Sequence, residues 1–213
     1  MKSQINNLAS QRLVWLDALK GIGILLIMVC HAGLLPRVSI FLTAGYVSIF
    51  FVASGFTYKS KQTFSSEIGK RSKRLLLPYF FYVSLSIILM NIFQIKGVFI
   101  HQVLGMIYSR YSLYFGIKDV GDVSLLTQTC NSPTWFLTAL FTSLMVMYII
   151  KSLKWQWVVI TCLGLSVLTL YLPFLLPWSL DTAFVGALFI YLGKKIRGGN
   201  SGYRMVRLGL VVL

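Results

Sequence analysis

The chain has 213 residues, of which 57% are hydrophobic and only 12% charged, where a soluble domain carries roughly 25% charged residues. Its 20 Lys and Arg outweigh 5 Asp and Glu, for a formal net charge of +15. A water-facing surface needs more charge than this, and the basic residues lie between long apolar runs, so a disordered chain, a disulfide scaffold and a nucleic-acid-binding module are excluded in favour of an all-α polytopic membrane bundle.

A bilayer core of about 30 Å takes roughly 20 helical residues. The apolar runs divide into six spans over 13–35, 38–58, 75–95, 133–150, 156–177 and 180–192, with a seventh opening near Met205. The first run follows a polar start but has no small-residue cleavage site, which predicts a retained span rather than a secretory signal. Residues 59–74 read as a basic inner loop, whose Lys70, Arg71, Lys73 and Arg74 abut the third span. Residues 96–132 form one long outer connection rich in Tyr and Phe; within it 98–114 is expected to be an interfacial amphipathic helix or a re-entrant piece. The sixth span is short and the seventh is cut off at Leu213. Residues 1–213 are therefore expected to be one integral membrane domain, the N-terminal part of a longer one.

Orientation follows from the cations. With the N-terminus cytoplasmic and the spans alternating, fifteen Lys and Arg fall on the inner side and four on the outer, while Lys20 lies within the first span. That bias predicts a multi-pass protein of the cytoplasmic (inner or plasma) membrane with anionic lipid as its surroundings. Cys30 and Cys162 lie in apolar runs and Cys130 in a polar loop, with no Cys-x-x-Cys and no metal-ligand spacing, so no metal site is expected.

The first span carries the densest chemistry. Asp17, Lys20 and His31 are ionisable groups in an apolar helix, where charge is costly and functional by default. Lys20 and His31 are eleven residues apart, a rotation of about 20° and a rise of roughly 16 Å, and Asp17 lies about 60° from Lys20. All three share a face, with Lys20 towards the cytoplasmic end. Two readings of each stay open: Asp17 and Lys20 as a local i,i+3 ion pair at the interface, and His31 as a wetted helix end. Gly21 and Gly23 leave a smooth surface for helix packing or for a ligand chain.

Trp15-Leu-Asp17-Ala-Leu-Lys20-Gly21-Ile-Gly23 through to His31, Phe50-Phe51-Val-Ala-Ser54-Gly55-Phe56, Arg71-Ser-Lys73-Arg74-Leu-Leu-Leu-Pro78-Tyr79, Ser132-Pro133-Thr-Trp135-Phe136-Leu137 and, less specifically, the segment 180–193 recur in this order. Together they resemble the acyltransferase 3 family of membrane-embedded sugar O-acetyltransferases and exopolysaccharide acyltransferases. The resemblance implies a helical bundle of about ten spans. It also implies an acyl-CoA donor such as acetyl-CoA arriving from the cytosol, and a hydroxyl of an envelope glycan or lipid-linked sugar as acceptor. Membrane lipids are then the remaining partner; no bound cofactor and no nucleic acid are expected.

Acyl transfer to a hydroxyl needs a base and a stabiliser of the oxyanion. His31 is the expected general base, because imidazole accepts a proton at neutral pH, and a covalent acyl-His step stays open. His101 lies in the outer loop and reads as solvent-exposed. Lys20, Arg71 and Arg74 are the expected donor-binding residues, cations suited to phosphate, although positive-inside anchoring also accounts for the cluster around Arg71. Asp17, Ser54 and Trp135 are supporting candidates, Trp135 either as an acceptor-stacking ring or as an aromatic-belt anchor; Asn131 is a further candidate beside the acceptor. The rival readings are a transporter or permease with Asp17, Lys20 and His31 along a proton or substrate path, and an inactive fragment.

Overall fold

The computed structural model describes residues 14–31, 39–59, 63–93, 99–110 and 134–198, with the side chains of residues 31 and 39–44 outside the described set. Seven helices account for almost all of it: α1 Val14–His31, α2 Ser39–Phe56, α3 Phe64–Ile92, α4 Phe99–Tyr108, α5 Trp135–Ile150, α6 Trp155–Leu170 and α7 Leu180–Gly198. No strand occurs among the described residues, as the all-α expectation requires.

The centre of the bundle is α5. Ala139, Leu140, Leu144, Met147 and Ile150 are buried against Phe51 and Tyr58 near the end of α2, Val158 and Cys162 of α6, and Ala187 and Ile190 of α7. Small residues set how closely the helices approach. A Cβ added to Gly55 of α2 would collide with the backbone of Ile190, and one added to Gly193 of α7 with the backbone carbonyl of Val52. α1 docks on α2 through Leu16, Ala53 and Phe56, with the Trp15 and Phe56 rings 5.0 Å apart edge to face. Of the two glycines in α1, Gly23 lies against the Phe50 ring, 2.8 Å from where a Cβ would sit, whereas Gly21 faces open space.

α3, with 29 residues, is the one helix among the described residues that is long and apolar enough to cross a membrane. One stripe of it, Tyr79, Val83 and Ile87, is buried next to Met106 of α4, while Leu77, Phe81, Leu85, Ile88 and Ile92 stay exposed. A helix apolar on both faces is expected where lipid replaces water as the outer neighbour.

The helix bounds differ from the expected spans in three informative places. α3 starts at Phe64, within the stretch read as an inner loop, because Glu67 and Arg71 pair at i,i+4 and a π-helical turn at Ser72–Leu76 joins the polar first turns to the apolar remainder. α6 stops at Leu170, well before 177, where the residue preceding Pro173 is disfavoured in helix and the chain turns away. α7 runs on to Gly198, so Lys194, Lys195 and Arg197 ride on its last turns, a favourable position for cations against the helix dipole. α4 occupies part of the predicted amphipathic segment and packs on α3, with the Tyr79 hydroxyl donating to the Met106 carbonyl at 2.8 Å and Asn91 Nδ2 donating to Gln102 Oε1 at 2.9 Å. Cys130, Asn131, the remainder of the outer connection and the seventh apolar run lie outside the described residues.

Candidate functional site

Four helices enclose a polar cavity of about 480 Å³. α1 contributes Lys20; the end of α2 and the residues after it contribute Ser54, Thr57, Tyr58 and Lys59. α3 adds Glu67, Lys70, Arg71, Arg74 and Leu75, and Leu140 and Leu144 of α5 complete the wall. Five cations and one carboxylate thus share one space. A cavity so lined can hold a polyanion, since Arg and Lys donate charge-assisted hydrogen bonds to phosphate oxygens.

The local fold explains how α3 delivers its cations there. Pro78 has no N–H for the Arg74 carbonyl, and its ring crowds that carbonyl, which strains a regular α-turn. The helix widens instead, and the Leu77 N–H bonds back to the Ser72 carbonyl, five residues away. Wide turns of this kind are rare and concentrate at functional sites. Arg71 and Arg74 fall at its start and within it, and both line the cavity.

Tyr58 and α7 close the site. The guanidinium carbon of Arg71 lies 5.1 Å from the Tyr58 ring centre and Lys194 Nζ lies 5.8 Å from it, within cation–π range. Arg197 donates to the Phe56 carbonyl at 2.9 Å, capping the C-terminal end of α2. These contacts depend on the late helix end at Gly198, which the sequence reading placed six residues earlier.

Of the residues singled out from sequence, the fold brings Lys20, Ser54, Arg71 and Arg74 together around this one cavity. Asp17 is half-buried on α1, one turn before Lys20. His31 ends α1, eleven residues beyond Lys20, and its side chain lies outside the described residues. His101 is half-buried on α4 rather than exposed. Among the described residues no cluster of His, Cys, Asp and Glu could hold a metal ion.

A family model described as an acyltransferase domain matches residues 13–213. The chain belongs to the acyltransferase 3 family. Acyl transfer is therefore its class of chemistry, in a family that is typically membrane-embedded. No curated protein and no solved structure matches this acyltransferase-family chain.

Trp135 lies elsewhere in this acyltransferase-family bundle. It lines a second, mainly apolar cavity of about 540 Å³ with Phe51, Leu163, Val167, Leu170, Val185 and Asp181. The two cavities lie at successive levels of α2, the second beside Val47, Ser48 and Phe51 and the first beside Ser54 and Thr57. The sequence reading gave Asp181 no role, although a carboxylate opening an apolar run is the same signal that drew attention to Asp17. Asp181 is 7% exposed and ion-paired with Arg110, a residue counted from sequence as an outer-loop cation. Around the pair the connection from α6 to α7 is bolted to α4. The Tyr108 hydroxyl donates to the Leu175 carbonyl at 2.7 Å, Arg110 Nε to that of Leu176 at 3.3 Å, and Trp178 Nε1 to that of Ile107 at 2.8 Å. Burial raises the Tyr108 hydroxyl above the usual tyrosine pKa, the Arg110 charge opposing this and the Asp181 charge adding to it, so it stays a donor across the neutral range. The positive φ angles of Ser109, Trp178 and Ser179 all fall in this cluster, where backbone strain persists because the surrounding bonds over-determine it.

Proposed function

We propose that this acyltransferase 3 chain moves an acyl group, acetyl in the first instance, from cytosolic acyl-CoA to a hydroxyl of an envelope glycan or its lipid-linked precursor. Family membership supplies the reaction class; the observation that carries the donor is the convergence of Lys20, Lys59, Lys70, Arg71 and Arg74 on one cavity. Coenzyme A presents a diphosphate and a further phosphate, and cations converging from α1, α2 and α3 suit them. The positive-inside bias supports reading this cavity as facing the cytosol, with the N-terminus inside the cytoplasmic membrane.

The mechanism runs along α1. With the phosphates held near Lys20, the pantetheine arm is about long enough to climb the roughly 16 Å of helix to His31, bringing the thioester beside the imidazole. His31 takes the proton of the acceptor hydroxyl, the oxygen attacks the thioester carbonyl carbon, and the C–S bond breaks. The imidazolium then returns its proton to the departing sulfur, so coenzyme A leaves as the thiol. Trp135, in the second cavity, offers a ring face to the acceptor sugar. Asp17 and Ser54 act in support, beside and below the donor. No metal or bound cofactor enters the scheme, in which acyl-CoA is a substrate.

The test is transfer of label from [14C]acetyl-CoA to the envelope glycan fraction in membranes containing the protein. His31→Ala should insert to the same level and lose about 10²–10⁴-fold in rate, the usual contribution of a positioned base. Unchanged labelling by His31→Ala would rule out the assignment.

A further inference from the structure

The cavity that gathers five cations also holds a carboxylate. Glu67 is 1% exposed and accepts a hydrogen bond from Arg71 Nε at 2.8 Å. An anion is out of place in a site built for phosphate: by Coulomb's law alone it weakens binding of every negative ligand. Nor is it a surface pair of the kind worth little, since a buried carboxylate is costly unless a partner compensates. The first turn of α3 offsets part of that cost, because Glu67 lies near the positive end of the helix dipole.

What the carboxylate does is fix Arg71. An arginine free to rotate loses conformational entropy when it grips a ligand. Here Glu67 anchors the Nε edge from one turn away, while the Tyr58 ring, itself buried, lies 5.1 Å from the guanidinium carbon. The ion pair is made through Nε, so the terminal Nη groups, the donors suited to a bidentate phosphate contact, are not the atoms bonded to Glu67.

We propose that Glu67 is a positioning residue for the acyl-CoA donor: it holds the Arg71 guanidinium oriented for a phosphate, acting through Arg71 and never touching the donor. This rests on the donor-site reading above, and the two fail differently.

The experiment measures the Kd of coenzyme A and the KM of acetyl-CoA for the purified full protein and for Glu67→Ala, Glu67→Gln, Arg71→Ala and the Glu67→Ala/Arg71→Ala double variant. Simple charge arithmetic predicts tighter binding once the carboxylate is gone. Positioning predicts the opposite sign: Kd and KM rise about tenfold in Glu67→Ala with kcat little changed. Glu67→Gln, which keeps the size and an acceptor oxygen and covers the case in which Glu67→Ala does not fold, should give a smaller rise. In the Arg71→Ala background the second substitution should add nothing. Unchanged or tighter binding by the Glu67 variants, or an effect that persists without Arg71, overturns the positioning role while leaving the donor site standing. Failure of the unaltered protein to bind coenzyme A overturns the donor site and this proposal with it.

Discussion

Arg110, just after α4, and Asp181, in the first turn of α7, are far apart in sequence and are joined by a buried ion pair. Removing one partner leaves an uncompensated charge, which costs about 3–5 kcal/mol, more than deleting both. Arg110→Met should therefore lower the thermal midpoint in detergent markedly, and Arg110→Met/Asp181→Leu should recover part of the loss. Equal midpoints for the single variant and the unaltered protein would contradict this. At this scale Lys20, Arg71 and Arg74 were legible as candidates in the sequence, because a cation in an apolar helix and a basic cluster at a helix start are conspicuous without tertiary information; Ser54 stood out only as a small residue at the end of the second span. Glu67 was not: a lone carboxylate in a polar stretch looks like a solvated loop residue. The cavity that takes it in is walled by Lys20 of α1 and by Leu140 and Leu144 of α5, none of them near it in sequence.

Among the elements, α3 departs most from expectation, and the reason is instructive. Apolar content marks where a helix meets lipid, not where it begins, so the polar first turns at Phe64–Arg71 passed for a loop. The π-helical turn, set by Pro78, was equally invisible to periodicity. The α2–α7 contact was partly legible through its small residues, but only the structure separates glycines that are required from those that are not. Gly21→Ala meets nothing within 4 Å and should be neutral or stabilising by up to about 1 kcal/mol, the helix preference of Ala over Gly. Gly55→Ala drives a Cβ into the Ile190 backbone, which cannot give as a flexible side chain would, and should cost about 1–3 kcal/mol or more. Thermal unfolding of the two variants side by side decides this; equal midpoints would mean that α2 and α7 do not pack as closely as described.

For the whole molecule, two cavities of different character are stacked along α2, a cationic one beside Ser54 and an apolar one beside Trp135 and Asp181. The helical class, the membrane character and the family were all legible from composition and from the five ordered segments, since these are properties of long stretches. The existence of two cavities of different lining was not, because it depends on which residues distant in sequence end up facing one another. The cationic cavity is the feature on which the proposed donor recognition stands or falls. Among the described residues Lys20 is its contributor from α1, and in the proposed mechanism it begins the path towards His31. Titration of the purified protein with coenzyme A, with Lys20→Glu as the comparison, measures this most directly. The Kd should rise at least about tenfold for Lys20→Glu, a loss of about 1.4 kcal/mol, with the thermal midpoint of the free protein unchanged. A Lys20→Glu protein that is equally stable and binds coenzyme A as tightly as the unaltered one would contradict the donor site.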